Sequence, residues 1–333
     1  MKQKRKNLLI TGGAGYIGSI CVDELLRQGH RVMVIDNLQE GHKEAILSEV
    51  IFYEGDFGDE NLLKKTFDSH EIDAVIHFAA ETTIAFSMTD PAKYFHNNIV
   101  NSITLLEVMR KFGCNKIIFS STAAVFGEPI YTPIDEKHPL VPINAYGESK
   151  LMFEKILDWY HEAYGLKFNA FRYFNAAGAS EKLGEAHRHE SHLIPIILHV
   201  ALGQRKKLQI FGNDYPTKDG TCIRDYIHVR DLARAHIRAL ENLDNHPNRK
   251  YNLGNGKGFS NLEVLKTSEK VIGQKIAFEF VPRRTGDVAI LVTSSELAKI
   301  ELGWEPQYSE LEEIISSAWR WHRKHPEGYF GKI

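Results

Sequence analysis

Apolar residues in the first half of this chain come as short unbroken blocks, separated by stretches in which they recur every three or four positions. The blocks at residues 8–11, 32–35, 51–54, 74–78, 116–120 and 169–173 are rich in Val, Ile and Phe. Runs of that length and continuity predict strands buried on both faces, as in a parallel sheet. Helical spacing occupies residues 18–28, 61–68, 92–111 and 146–164, so strand and helix alternate. That alternation predicts an α/β fold, a doubly wound parallel sheet whose ligand lies beyond the carboxyl ends of the strands.

Beyond Phe174 the pattern loosens. Residues 175–192 are polar and include Gly178, Gly184, His187, His189 and His192. A helix at 193–202, a short strand at 207–211 and a loop at 212–221 follow, and residues 222–243 read as strand then helix. The expected division is a first domain of residues 1–175, to which 222–255 return, and a smaller mixed α/β lobe of residues 176–221 and 256–333. The lobes are interleaved, with neither an internal repeat nor a low-complexity linker.

Charge narrows the range of partners. The 333 residues hold 41 Lys and Arg against 43 Asp and Glu, a net charge of −2, so neither nucleic acid nor a membrane surface is expected as a partner. In the basic stretch Met1-Lys2-Gln3-Lys4-Arg5-Lys6 the charges precede only Leu8, Leu9 and Ile10 before Gly12, too short an apolar core for a signal peptide. No apolar run reaches membrane-spanning length. Cys21, Cys114 and Cys222 are odd in number and far apart, which argues against a disulfide framework or a thiolate metal site. The expectation is a protein of the reducing cytoplasm.

Candidate chemistry begins where the first block ends. Gly12-Gly13-Ala14-Gly15-Tyr16-Ile17-Gly18 follows a strand and opens a helix, the setting in which a glycine-rich turn binds a dinucleotide pyrophosphate. Glycines permit the bend and the close approach, and free N–H groups of the helix meet the phosphates. The first domain is therefore read as Rossmann-like. Asp36 ends the second strand, where a carboxylate accepts hydrogen bonds from the adenosine ribose and repels a 2′-phosphate, selecting NAD over NADP. Asp56 ends the third strand, where contact with the adenine and service to the turn are nearly equal readings. Tyr146 and Lys150 fall on one helix face. The ammonium there would stabilise a phenolate and make Tyr146 a base near neutral pH. Thr122, last of the hydroxyls in Ser120-Ser121-Thr122, would donate to a sugar oxygen beside that phenolate, with Ser120 and Ser121 left to capping. Dinucleotide and phenolate base together point to hydride transfer at a carbinol.

In this order the motifs resemble the extended short-chain dehydrogenase/reductase superfamily, and within it the UDP-glucose 4-epimerase (UDP-galactose 4-epimerase) family. The resemblance covers residues 7–330. It rests further on Arg172-Tyr173-Phe174-Asn175-Ala176-Ala177-Gly178-Ala179, Phe211-Gly212-Asn213-Asp214-Tyr215-Pro216-Thr217, Asp219-Gly220-Thr221-Cys222-Ile223-Arg224-Asp225-Tyr226-Ile227-His228-Val229, Tyr251-Asn252-Leu253-Gly254 and Pro282-Arg283-Arg284-Thr285-Gly286-Asp287. It implies that Tyr16, Ile17, Asp36, Asn37, Asp56, Phe57, Phe78, Asn97, Lys150 and Phe174 line an NAD site. It implies equally that Asn175, Leu193, Arg224, Arg284 and Asp287 hold a uridine diphosphate, for which planar guanidinium groups are suited. An ion pair between the lobes, with Asp225 or Asp287, is the other reading of the two arginines. The activity implied is reversible NAD-dependent epimerisation at C4 of UDP-glucose and UDP-galactose through a 4-keto intermediate, carried out by a homodimer. The alternative is action mainly on a UDP-N-acetylhexosamine or a UDP-pentose. Leu291 falls where the family limits room beside the C2 substituent of the sugar, or else is plain core within residues 288–292.

Three positions depart from the family pattern. Thr82 stands where many members have lysine, Thr122 where serine is frequent, and His192 where some use asparagine, a ring nitrogen then replacing the amide. Ala123-Ala124 follows Thr122 where dehydratases of the superfamily place an Asp-Glu pair, which argues against elimination. Tyr146, Lys150 and Thr122 together argue against a scaffold without catalysis. The cluster His187-Arg188-His189-Glu190-Ser191-His192 invites a zinc reading. It lies in an expected loop, Arg188 would repel a cation and no remote fourth ligand is evident, so no metal is expected and the cluster is read as a loop over the diphosphate.

Overall fold

The computed structural model describes residues 5–284 and 286–330. Residues 1–4 of the basic N-terminal stretch, Thr285 of the 282–287 motif and residues 331–333 lie outside the described residues. The first half runs β1 (Asn7–Thr11), α1 (Tyr16–Arg27), β2 (Arg31–Asp36), β3 (Ile51–Glu54), α2 (Glu60–Ser69), β4 (Ala74–His77), α3 (Ile84–Ser87), α4 (Pro91–Phe95), α5 (Asn101–Lys111), β5 (Lys116–Ser120), α6 (Ala145–Tyr164) and β6 (Lys167–Tyr173). The second half runs β7 (Asn175–Ala177), α7 (Leu193–Ala201), β8 (Leu208–Phe211), β9 (Ile223–His228), α8 (Val229–Asn242), β10 (Arg249–Leu253), β11 (Gly258–Ser260), α9 (Asn261–Ile272), β12 (Phe278–Val281), β13 (Ile290–Leu291), α10 (Glu296–Leu302) and α11 (Leu311–Lys324).

The large sheet is parallel throughout, in the order β10-β6-β5-β4-β1-β2-β3. Leu8 and Ile10 of β1 pack with α1 and α8 on one face, and Leu9 packs with α2, α5 and α6 on the other. Two dry faces explain the unbroken apolar blocks of the sequence. Successive strands move outward on both sides of β1, so the crevice beyond the carboxyl ends of β1 and β4 is the place where such a sheet takes a ligand.

In the smaller lobe β9 pairs antiparallel with β11 and parallel with β13 and β7, while β8 pairs with β12. Helices α7, α9 and α11 bury Ile194, Ile197, Val264, Leu265, Ile314 and Ile315 in its core. Of residues 222–255, α8 and β10 lie on the large sheet and β9 on the smaller one. The segment of α10, expected in the smaller lobe, packs on the large-sheet core through Ala298, Leu302 and Trp304, whose indole N–H donates to Asp231 O at 2.9 Å. The apolar surface of Leu302 and Trp304 is what draws it there.

The helical run predicted at 92–111 contains a π-turn at His96–Val100, between α4 and α5. The added residue turns Asn98 inward, where it accepts the Glu81 N–H at 2.8 Å and donates to Ser149 Oγ of α6 at 3.0 Å. Turns of this kind concentrate at functional sites. Among the described residues no helix is long and apolar enough to cross a membrane.

Candidate active site

The chain leaves β1 at Gly12 with φ +75°, and a Cβ there would stand 2.5 Å from Ala79 N. At Gly18 it would stand 2.2 Å from Gly12 O, so the packing of the turn itself dictates both glycines. Gly15 differs, because its φ is −77° and a Cβ would meet only Gly12 O, at 3.4 Å. The chain has no need of glycine at that point. Gly15 caps α1 without a side-chain bond, and the first turn of α1 holds no carboxylate. Free N–H groups, the positive helix end and an unobstructed approach are what a pyrophosphate requires.

Asp36 is 8% exposed; its Oδ2 accepts the Ala14 N–H and its Oδ1 the Leu38 N–H, each at 2.9 Å. Burial raises its carboxyl above the ordinary value, and the two N–H donors pull it back. Each oxygen keeps a lone pair for a ribose hydroxyl. Asn37 points its amide at Asp56 Oδ2, 3.4 Å away, while Asp56 Oδ1 accepts the Gly58 N–H at 2.7 Å and the Asn101 amide at 3.2 Å. Service to the turn is the role of Asp56 that these bonds display. The Phe57 ring is buried 5.0 Å from the His77 ring, so its side chain belongs to the core. Phe78 lies over His236 at 4.7 Å, and Asn97 sits in the π-turn with its amide on Asn98. Ile17 packs against the core beside α8, and the Tyr16 phenol donates to Gly178 O at 2.6 Å.

Helix α6 begins at Asn144, whose side chain accepts the Gly147 N–H at 2.8 Å. Gly147 lets the helix press on the preceding loop, since a Cβ there would stand 2.5 Å from Ala124 O. That close contact brings Tyr146 to Thr122. Thr122 Oγ1 accepts the Ala124 N–H at 3.1 Å, which leaves its own hydrogen free to donate. Burial raises the phenol above its ordinary value and the Thr122 bond lowers it. Lys150, 2% exposed, donates to Ser120 O at 2.9 Å and lies 4.8 Å from the Phe119 ring and 6.0 Å from the Tyr146 ring. Burial lowers Lys150 to about 7, with Glu154 opposing that shift. Lys150 thus stands beside the Tyr146 ring on α6, with its ammonium engaged by Ser120 O.

Sequence reasoning missed the next member of this stripe. Glu154, 1% exposed, takes Arg172 Nε at 3.0 Å and Nη2 at 2.5 Å, and accepts the Ser121 hydroxyl at 2.5 Å. The available signal was a charge, Arg172, inside an apolar block, and a helix face shared by residues 146, 150 and 154.

On the smaller lobe, Asn175 donates its amide to Asp225 O at 2.8 Å. Arg224 bonds Ile223 O at 3.0 Å and Val288 O at 2.8 Å, and its Nη2 is 3.7 Å from Asp287 Oδ1. Arg284 bonds Asp287 Oδ2 at 3.1 Å, with its guanidinium 4.4 Å above the Phe211 ring. Asp287 therefore holds both arginines. Asp225 instead accepts the N–H groups of Asn255, Gly256 and Thr293 at 2.7, 3.0 and 3.2 Å, and burial raises it to about 7. Leu291 stands opposite Arg224 in β13 and packs, half-buried, on the cluster of Ala123, Phe126, Leu151 and Phe174. His192 precedes α7, its Nδ1 2.8 Å from Glu190 Oε1, and Leu193 opens that helix. Two groups result, one at the carboxyl ends of the large sheet and one on β9 and β13, with Leu291 and Phe174 in the packing between them.

Residues 8–254 match the model of the NAD dependent epimerase/dehydratase family. Over 325 residues the chain is 54% identical to the UDP-glucose 4-epimerase of Halalkalibacterium halodurans, covering 97% of each chain. It belongs to the UDP-glucose 4-epimerase family. A solved UDP-glucose 4-epimerase superposes with a TM-score of 0.96 at 50% identity, over 98% of this chain and 100% of that one. The UDP-glucose 4-epimerase of Bifidobacterium longum, crystallised with NAD+ and UDP, superposes with a TM-score of 0.92 at 39% identity, over 97% of this chain and 99% of that one. A UDP-glucose 4-epimerase is an NAD-dependent enzyme, and the glycine turn, the uncapped start of α1 and Asp36 fit that cofactor.

Proposed function

We propose that the protein interconverts UDP-glucose and UDP-galactose by oxidation and re-reduction at C4 of the sugar. The observation that carries this reading is the convergence of Thr122, just beyond β5, with Tyr146 and buried Lys150 on α6, which presses on the Thr122 loop at Gly147 and is reached from the glycine-turn strand across β4 and β5. Bound NAD supplies hydride exchange at C4 and a positive ring that favours a phenolate. Tyr146 removes the 4-hydroxyl proton and later returns it, and its place in the first turn of α6 adds the positive end of the helix dipole. Thr122, with its hydrogen free, steadies the reacting oxygen. Arg224 and Arg284 take the diphosphate, with Asp287 orienting both guanidinium groups, while Asn175, His192 and Leu193 border it. Held only by its diphosphate, the 4-keto sugar presents either face for reduction.

Residues 1–175 with α8 and β10 carry the cofactor in this reading, and the smaller lobe carries the UDP-sugar. Met152 and Trp159 of α6 and Val100 beside α5 expose 39%, 73% and 50% of their surface, which supports a homodimer paired through these helices. Cys21, Cys114 and Cys222 are unpaired and buried, which supports the cytoplasm as compartment. Purified protein given UDP-galactose and no added cofactor should form UDP-glucose. Absence of conversion even with NAD supplied refutes the reading.

Asp36 should make NAD bind more tightly than NADP by about 1–3 kcal/mol, the scale of a lost charged hydrogen bond with repulsion added. Titration of the apoprotein with both dinucleotides measures it, and equal affinities mean that Asp36 does not face the ribose. Leu291 leaves more room than tyrosine, so UDP-N-acetylglucosamine should turn over slowly beside UDP-glucose. Leu291→Tyr should cut hexosamine turnover at least about tenfold relative to hexose, for which a steric cost of about 1.4 kcal/mol suffices. Parallel loss on both substrates, or no change, removes Leu291 from that role.

A further inference from the structure

Glu185, His187, Glu190 and His192 belong to the segment between β7 and α7, in the spacing Glu-x-His-x-x-Glu-x-His. One ligand-capable atom from each lies within 4.8 Å of all the others. His187 Nδ1 is 3.0 Å from Glu185 Oε1 and 3.5 Å from Glu190 Oε2. His192 Nδ1 is 3.0 Å from Glu185 Oε1 and 2.8 Å from Glu190 Oε1. A tetrahedron with bonds of about 2.0–2.1 Å has edges of about 3.3–3.4 Å. The four imidazole–carboxylate separations, 2.8–3.5 Å, stand near that spacing, and the whole group lies within 4.8 Å.

Burial adds a second argument. The side chains of Glu185 and Glu190 are only 5% and 4% exposed. Two adjacent buried carboxylates call for two positive charges, which the two imidazoles supply when protonated and which one divalent cation supplies at a single point. His187 Nδ1 is buried and, although a carboxylate oxygen is 3.0 Å away, makes no well-directed hydrogen bond. A lone pair aimed at a common centre has that geometry, while His192 Nδ1 keeps a hydrogen bond with Glu190 Oε1 at 2.8 Å. The segment is a loop, as expected, but two of the reasons for expecting no metal are met. Glu185, outside the 187–192 cluster, is a fourth ligand. Arg188 turns away, donating to Gln39 O at 2.9 Å with its guanidinium 5.2 Å over the Phe330 ring.

We propose that Glu185, His187, Glu190 and His192 bind one divalent transition-metal ion, with zinc the best match to two imidazoles and two carboxylates. Four protein ligands close the coordination sphere, so the role is structural. The ion fastens a strap between the lobes. The His187 ring meets the Tyr16 ring edge-on at 6.2 Å, next to the glycine turn. The Ala186 carbonyl is 2.6 Å from His42 Nε2, and Arg188 docks on the loop after β2. His192 leads directly into α7. The proposal stands whether or not the substrate reading holds.

The test uses purified protein with its own cofactor. It is dialysed against a chelator, and zinc is then returned in competition with a chelator of known affinity. One equivalent per chain, bound with a Kd below about 1 μM, is expected. His187→Ala and the near-isosteric Glu190→Gln should each weaken binding at least about a hundredfold, with far-UV circular dichroism unchanged. Cobalt in place of zinc should give the intense visible bands of a four-coordinate site in the parent and not in His187→Ala. Less than about a tenth of an equivalent in the parent at that affinity, or parental affinity in either variant, overturns the proposal.

Discussion

Tyr146→Phe should lower turnover of UDP-galactose at least about a thousandfold, the range for loss of a positioned acid–base group. The change removes one oxygen and almost no volume. Thr122 still accepts the Ala124 N–H, Lys150 still donates to Ser120 O, and Gly147 still lets α6 press on Ala124. Folding, NAD content and KM should therefore survive, because the groups proposed to hold the diphosphate lie on the other lobe. The assay is kcat together with the absorbance of bound NAD. A rate near that of the parent, with cofactor retained, excludes Tyr146 as the base.

The second large effect is on stability. Arg172 and Glu154 are 3% and 1% exposed and joined by short, paired bonds. Arg172→Leu leaves a carboxylate in the dry site with Ser121 as its remaining hydrogen-bond donor, and about 3–5 kcal/mol of stability should be lost. The same change made together with Glu154→Leu should restore much of it, because both charges then leave the interior. Urea unfolding of the two variants decides the point. A single variant as stable as the parent would show that Glu154 is neutralised by some other route.

These two predictions draw on different kinds of information. Tyr146, Lys150 and the glycine turn are local patterns, fixed by spacing along one helix or one turn, and were legible in the sequence. The strand at 116–120 coincides with β5 for a similar reason, since burial on both faces writes itself as unbroken apolar residues, while 51–54 coincides with the half-buried edge strand β3. The beginning of β6 was missed because Lys167 opens it, and that charge is met outside the sheet by Asp244 at 2.7 Å. Strands β7, β11 and β13 are two or three residues long and exist through pairing with β9, which no periodicity can report. The π-turn at His96–Val100 likewise follows from the bonds of Asn98 to Glu81 and Ser149, partners 17 and 51 residues away. Glu154–Arg172 is a contact of the folded chain that only its burial sets apart, and Glu185 joins the 187–192 cluster seen in the sequence through the fold of the loop.

The most direct measurement follows the hydrogen on C4. UDP-galactose carrying deuterium at C4 is converted by the purified protein in ordinary water, without added cofactor, and the UDP-glucose is examined by mass spectrometry. Oxidation by bound NAD and return from the same molecule predict that the product keeps the deuterium at C4. Product formed with that deuterium lost to water would contradict the mechanism, since the hydrogen would then have left as a proton.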